Sequence, residues 1–113
     1  MSFPTNPVAL GKVTVAAAGA PVPLINNFAN SEGYSSLRAN KMEVQALPDN
    51  TGLVYLGFQG MDKSTGEKVL RVLSAGETYS ITDPAANNFI DVFNFYIDTD
   101  TSGEGVYANA HVH

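Results

Sequence analysis

The stretch that decides the fold is Lys41–Phe58, KMEVQALPDNTGLVYLGF. Met42, Val44 and Ala46 alternate with Lys41, Glu43 and Gln45. Period-2 alternation places one set of side chains on a buried face and the other in water, the mark of a half-buried strand. Pro48-Asp49-Asn50-Thr51-Gly52 is a cluster of turn formers, and Leu53–Phe58 is a second β-rich run. Two strands and a tight connection predict a β-hairpin over 41–58.

Reading outward, the same device recurs. Lys12–Ala18 and Val22–Ile25 are strands joined by Gly19-Ala20-Pro21. Pro23 cannot donate to a ladder, which puts its strand at a sheet edge. Lys68–Leu73 is apolar on both faces, and Thr78–Thr82 follows after the turn Ser74–Glu77. Phe89–Asp98 reads as one continuous aromatic strand, with Phe93, Phe95 and Ile97 opposite Val92 and Tyr96. In Val106–Val112, the alanines and valines face inward, with Tyr107, Asn109 and His111 outward. About eight strands at a spacing of roughly 8–12 residues predict an all-β chain: a single antiparallel β-sandwich, jelly-roll-like.

Two segments break the pattern. Residues 1–10 contain Pro4 and Pro7 and read as an extended N-terminal arm. The remaining residues, 11–113, form one domain, a size that buries a core without staples. Within it Asn26–Asn40 is a long irregular loop with four Asn and three Ser. Long loops in compact domains usually carry function. The large apolar groups of these segments, with their prolines, are the candidate partner contacts: Phe3, Pro4, Pro7, Phe28, Tyr34 and Leu37.

Composition narrows the function. The chain of 113 residues has no cysteine, which removes disulfides and thiol chemistry. Only 15% of residues are charged, against 44% hydrophobic. A surface poor in charge suits protein contact, because little must be desolvated. A net charge of −5 with six scattered basic residues argues against nucleic acid or an anionic membrane as partner. No signal-peptide pattern and no membrane-length apolar run is present, so a soluble protein made in a cytoplasm is expected.

Chemistry-bearing motifs are few. Asp98, Asp100 and Ser102, with Gly103, match the opening of a calcium loop. The twelfth position is Asn109, where that loop needs a bidentate Glu, and turn formation accounts for the same residues. His111 and His113 share a strand face but lack a third ligand. Neither Glu43 with Glu67 nor Asp91 with Asp98 is placed by the sequence in a shared cleft. No catalytic residue and no cofactor is therefore assigned. The aromatic set Tyr55, Phe58, Tyr79, Phe89, Phe93, Phe95 and Tyr96 serves as core filling or as a groove lining, with Tyr55, Phe93 and Phe95 read as core. The doubly apolar run at Val92, Phe93 and Tyr96 is the candidate self-association surface.

Four motifs together carry a resemblance: VTVAAAGAPVPL (Val13–Leu24), KMEVQALPDNTGLVYLG (Lys41–Gly57), VLSAGETYSI (Val72–Ile81) and DTDTSGEGVYANA (Asp98–Ala110). Their order resembles the small β-sandwich virion proteins of tailed bacteriophages, in which a strand ending NTGxVYVG and a turn LxPGE recur. Here Ala75 stands where that turn usually has Pro. The resemblance covers most of the chain and implies a capsid decoration (cement) protein or a head or tail appendage. It further implies a virion location, binding to the major capsid protein or other virion proteins, and a homo-oligomer, trimer or dimer. The alternative is a glycan- or receptor-binding module of a phage fibre, using Tyr34, Tyr79 and Tyr107.

Overall fold

The structure, a computed structural model, describes residues 6–27, 37–82 and 90–112. The chain is all-β, and every strand pairing is antiparallel. In order the strands are β1 (Asn6–Thr14), β2 (Val22–Pro23), β3 (Arg38–Ala39), β4 (Lys41–Ala46), β5 (Val54–Asp62), β6 (Glu67–Leu73), β7 (Thr78–Thr82), β8 (Ile90–Asp91), β9 (Phe95–Thr99) and β10 (Gly105–Val112). Two short 3-10 turns, Leu24–Asn27 and Val92–Asn94, interrupt them.

The first sheet has the order β1-β10-β4-β7 and the second β2-β9-β5-β6, with β3 and β8 as a small pair of their own. Alternation does the work in the first sheet. Met42, Val44 and Ala46 of β4 are fully buried, as are Val106 and Ala110 of β10. They meet Val54 and Leu56 of β5, Leu73 of β6 and Ile97 of β9 in one hydrophobic cluster. Each Val, Leu, Ile or Met among them, fully buried, contributes about 1.5–3 kcal/mol from removed apolar surface, and each Ala less.

The 41–58 hairpin does not form. β4 pairs with β10 and β7 in the first sheet, whereas β5 pairs with β9 and β6 in the second. The connection between them crosses from one sheet to the other. Leu47 is buried at its start, and its N–H donates to the carbonyl of Gly105 on β10 (3.0 Å). Asn50 Nδ2 donates to the same carbonyl at 2.9 Å. The turn formers Pro48–Gly52 thus bend the chain out of one sheet rather than back along its neighbour.

Other expectations are corrected in the same way. The arm is, over residues 6–10, the start of β1, paired with β10 from Asn6↔Val112 onward. Leu10 is 2% exposed and belongs to the core. The aromatic run is not one strand, because the 3-10 turn at Val92–Asn94 splits β8 from β9. Asp91 caps it, its carboxylate accepting from the N–H of Phe93. β2 does lie at an edge, as Pro23 requires. Among the described residues no helix is long and apolar enough to cross a membrane.

Candidate functional site

The polar groups converge at one end of the molecule, where the loop after β9 meets the β4–β5 crossing and the turn after β1. Asp98 is 1% exposed. Its Oδ1 accepts from the N–H of Thr99 (2.8 Å) and of Gly19 (2.9 Å), tying β9 to a loop 79 residues away. Asp100 Oδ1 accepts from the Tyr55 hydroxyl at 3.1 Å and lies 3.5 Å from Lys63 Nζ. That ammonium also donates to the carbonyl of Thr99 (2.6 Å). Ser102 Oγ accepts from the N–H of Ala18 (2.9 Å). Glu104 clasps the crossing, Oε2 taking Thr51 N–H and Oγ1–H, and Oε1 taking Gly52 N–H.

The electrostatics follow from these contacts. The Thr51 and then the Gly52 N–H stabilise the carboxylate and hold the Glu104 pKa below its ordinary value, against a smaller desolvation effect. Desolvation, and after it the hydrogen bond to Asp100, raises the Tyr55 pKa.

The calcium-loop residues are therefore spent on the protein's own donors. Asp98 and Ser102 face backbone N–H groups, and Asp100 faces an ammonium, which would repel a cation. No group of three His, Cys, Asp or Glu side chains suited to a metal gathers among the described residues. His111 lies 3.9 Å from Glu43, which also meets Lys41 at 3.6 Å; His113 lies outside the described residues. The imagined acid pairs serve separate parts of the fold. Glu43 is on β4 and Glu67 on β6, while Asp91 accepts from Leu37 and Phe93 and Asp98 from Gly19 and Thr99.

The partner-contact candidates fare unevenly. Phe3, Pro4, Phe28 and Tyr34 lie outside the described residues, as does Phe89. Pro7 is in β1, opposite His111. Leu37 packs against the core and is half-buried, not presented. For self-association, Val92 is fully buried and offers no surface, because the 3-10 turn folds it inward. Phe93 packs on the core edge, and Tyr96 stands half-buried beside Pro23. Phe95 is core; Tyr55 is not, and presents its ring on the outer face of the second sheet.

The apolar surface lies elsewhere. Among the described residues Leu53 (38%), Leu70 (40%) and Val72 (41%) are the exposed large aliphatic side chains. Val72 is the register partner of Tyr55, and Leu53 precedes Tyr55 by two residues. Pleating puts all three on one face. The sequence carried a signal for this: β6 is apolar on both faces, and only one face of an edge strand can meet the core. A separate cavity of about 320 Å³ is lined by Phe58, Gln59, Lys68, Phe93 and Asn94. Of the tyrosines considered for glycan, Tyr79 packs on the core under the Arg71 guanidinium (5.2 Å), and Tyr107 is half-exposed on the first sheet.

Comparison of the chain with protein-family models, with curated proteins and with solved structures gave no match.

Proposed function

We propose that this protein is a structural component of the bacteriophage virion, a capsid decoration protein that binds the major capsid protein shell. The observation that carries the reading is the strand order. Four neighbouring pairs, β1·β10, β2·β9, β4·β7 and β5·β6, follow one another like a folded ribbon. Leaving aside the small pair β3 and β8, rolling that ribbon distributes the strands as 1-10-4-7 and 2-9-5-6, the order of a β-sandwich of jelly-roll type. That architecture recurs in viral capsid and lectin domains. Fold alone does not assign function; the sequence resemblance and the sparsely charged surface supply the rest.

In this reading the outer face of the second sheet meets the shell through Leu53, Tyr55 and Val72, which need little desolvation. A ligand held only by the assembled shell stabilises it by mass action. A second reading, glycan binding, is favoured by the cavity at Phe58 and Phe93, where ring faces and amide groups stand together.

The test adds purified protein to expanded capsids lacking it and follows occupancy by cryo-electron microscopy. Symmetric occupancy, lost in the double variant Leu53→Glu, Val72→Glu, is expected. Absence of binding together with a positive glycan array would overturn the proposal in favour of the second reading.

A further inference from the structure

Three of the four outer sheet edges carry devices that discourage pairing with another strand. β1 contains Pro7, a register shift between Ala9 and Gly11, and Gly11 at φ +80°. β2 is two residues long and one of them is Pro23. β6 has two register irregularities against β5, and Lys68 at φ +60°, a conformation that disfavours L side chains. Prolines, bulges and charges are the usual means of protecting an edge. β7, Thr78-Tyr79-Ser80-Ile81-Thr82, has none of them. It holds no Pro, Gly or charge, and its register with β4 runs unbroken from Thr78 to Thr82.

The outward groups of β7 can be assigned. Ala46 N–H donates to Glu77 O at 2.9 Å, so 46 and 77 are a hydrogen-bonded pair. Antiparallel ladders alternate. Tyr79 and Ile81 therefore turn their main-chain groups toward β4. Thr78, Ser80 and Thr82 turn theirs away from the sheet, and among the described residues no strand lies beyond β7.

We infer that β7 pairs with β7 of a second copy about a two-fold axis through Ser80. The segment is self-complementary in that register. Ser80 meets Ser80, Thr78 meets Thr82, and Tyr79 meets Ile81, so hydroxyl faces hydroxyl and ring faces branched aliphatic, pairings that stabilise sheets. The residues brought opposite are those whose N–H and C=O point outward, giving about six main-chain hydrogen bonds from the alternation rule. Half-exposed Tyr79 and Ile81 are covered. The two first sheets become one continuous sheet across an isologous interface. This inference does not rest on the virion reading; it concerns the edge of the first sheet, whereas shell binding concerns the face of the second.

The test uses the full chain. Sedimentation is expected to show a concentration-dependent species of twice the 12.0 kDa chain mass. Ser80→Pro removes an outward N–H and no bond to β4, so it is expected to weaken the dimer at least about a hundredfold with an unchanged circular dichroism spectrum. The chain has no cysteine, which gives an independent arm. Paired residues of this kind have Cα atoms about 5.5 Å apart, inside the disulfide range. Mild oxidation should crosslink Ser80→Cys, and not Ser64→Cys in the β5–β6 turn. A native chain that stays monomeric at millimolar concentration, an undiminished dimer in Ser80→Pro, or a folded Ser80→Cys that fails to crosslink each overturns the proposal. So does protection of the Thr78 and Ser80 amides that appears only on adding capsid shells, since the edge would then receive a strand from a different protein.

Discussion

Replacing Asp98 by alanine separates a structural carboxylate from a cation ligand. In the native protein Asp98 Oδ1 serves two N–H groups, that of Thr99, which is buried, and that of Gly19, in an exposed turn. A buried donor left without an acceptor costs about 1–3 kcal/mol, and one that water can reach costs less. The sum for Asp98→Ala is about 2–4 kcal/mol. For a domain near this size about 4 °C of melting temperature goes with each kcal/mol, so a fall of about 8–16 °C is expected. Asp98→Asn keeps a carbonyl acceptor and loses only the charge assistance, which places it at about 1–2 kcal/mol. The assay is thermal unfolding by circular dichroism, with and without chelator and with added calcium. Neither addition should move the native curve, since an ion that binds only the folded chain would raise its stability with the logarithm of free ion concentration over Kd. A loss below about 1 kcal/mol in Asp98→Ala would refute the reasoning from unsatisfied donors. A chelator that lowers the native melting point as much as the substitution does would refute it too, and would return the carboxylate to a metal.

Two further predictions concern the same end of the molecule. Glu104 has a folded-state pKa below its unfolded value, so its stabilising effect is complete above the ordinary carboxylate range, about pH 4.3, and is lost as pH falls through the lowered folded value. The difference in melting temperature between the native protein and Glu104→Gln should shrink over that acid window, and the Thr51 and Gly52 amide resonances should titrate with a midpoint below the ordinary glutamate value; a gap constant down to the acid limit would contradict this. Gly105 faces β1 so closely that a Cβ would press on the Val13 carbonyl and lie 2.8 Å from Thr14 Cα. Gly105→Ala should cost about 3 kcal/mol by overpacking, whereas Gly66→Ala, at φ +81° with open space around it, should cost about 1 kcal/mol; equal losses on chemical denaturation would show that β1 yields.

Strand existence was legible because alternation is local. β4, β7 and β10 follow the hydrophobic pattern closely, and Pro23 marked its edge. Sheet membership was not legible, since a period of two is the same in either sheet. The Pro48–Gly52 turn therefore looked like a hairpin although it crosses between sheets. The aromatic run misled for a related reason. Val92 is apolar because a capped 3-10 turn drives it into the core, not because a second face awaits a partner. In the polar corner the residue types were visible, but their partners, Gly19, Ala18 and Thr51, lie 53 or more residues away. Only the assembled fold shows that those oxygens are already occupied. The exposure of Leu70 and Val72 likewise depends on β6 being an edge, and the openness of β7 on the company it keeps.

The pairing of β1 with β10 sets how the molecule bears force. Asn6 stands opposite Val112, and the ladder runs inward from there to Thr14 and Gly105. Tension applied between positions 6 and 112 would open that ladder one rung after another, like a zip, and each rung would resist alone. Load spread over a sheet face meets many rungs at once. A protein of this build would therefore hold when gripped by its broad faces and peel when tethered through β1 and β10.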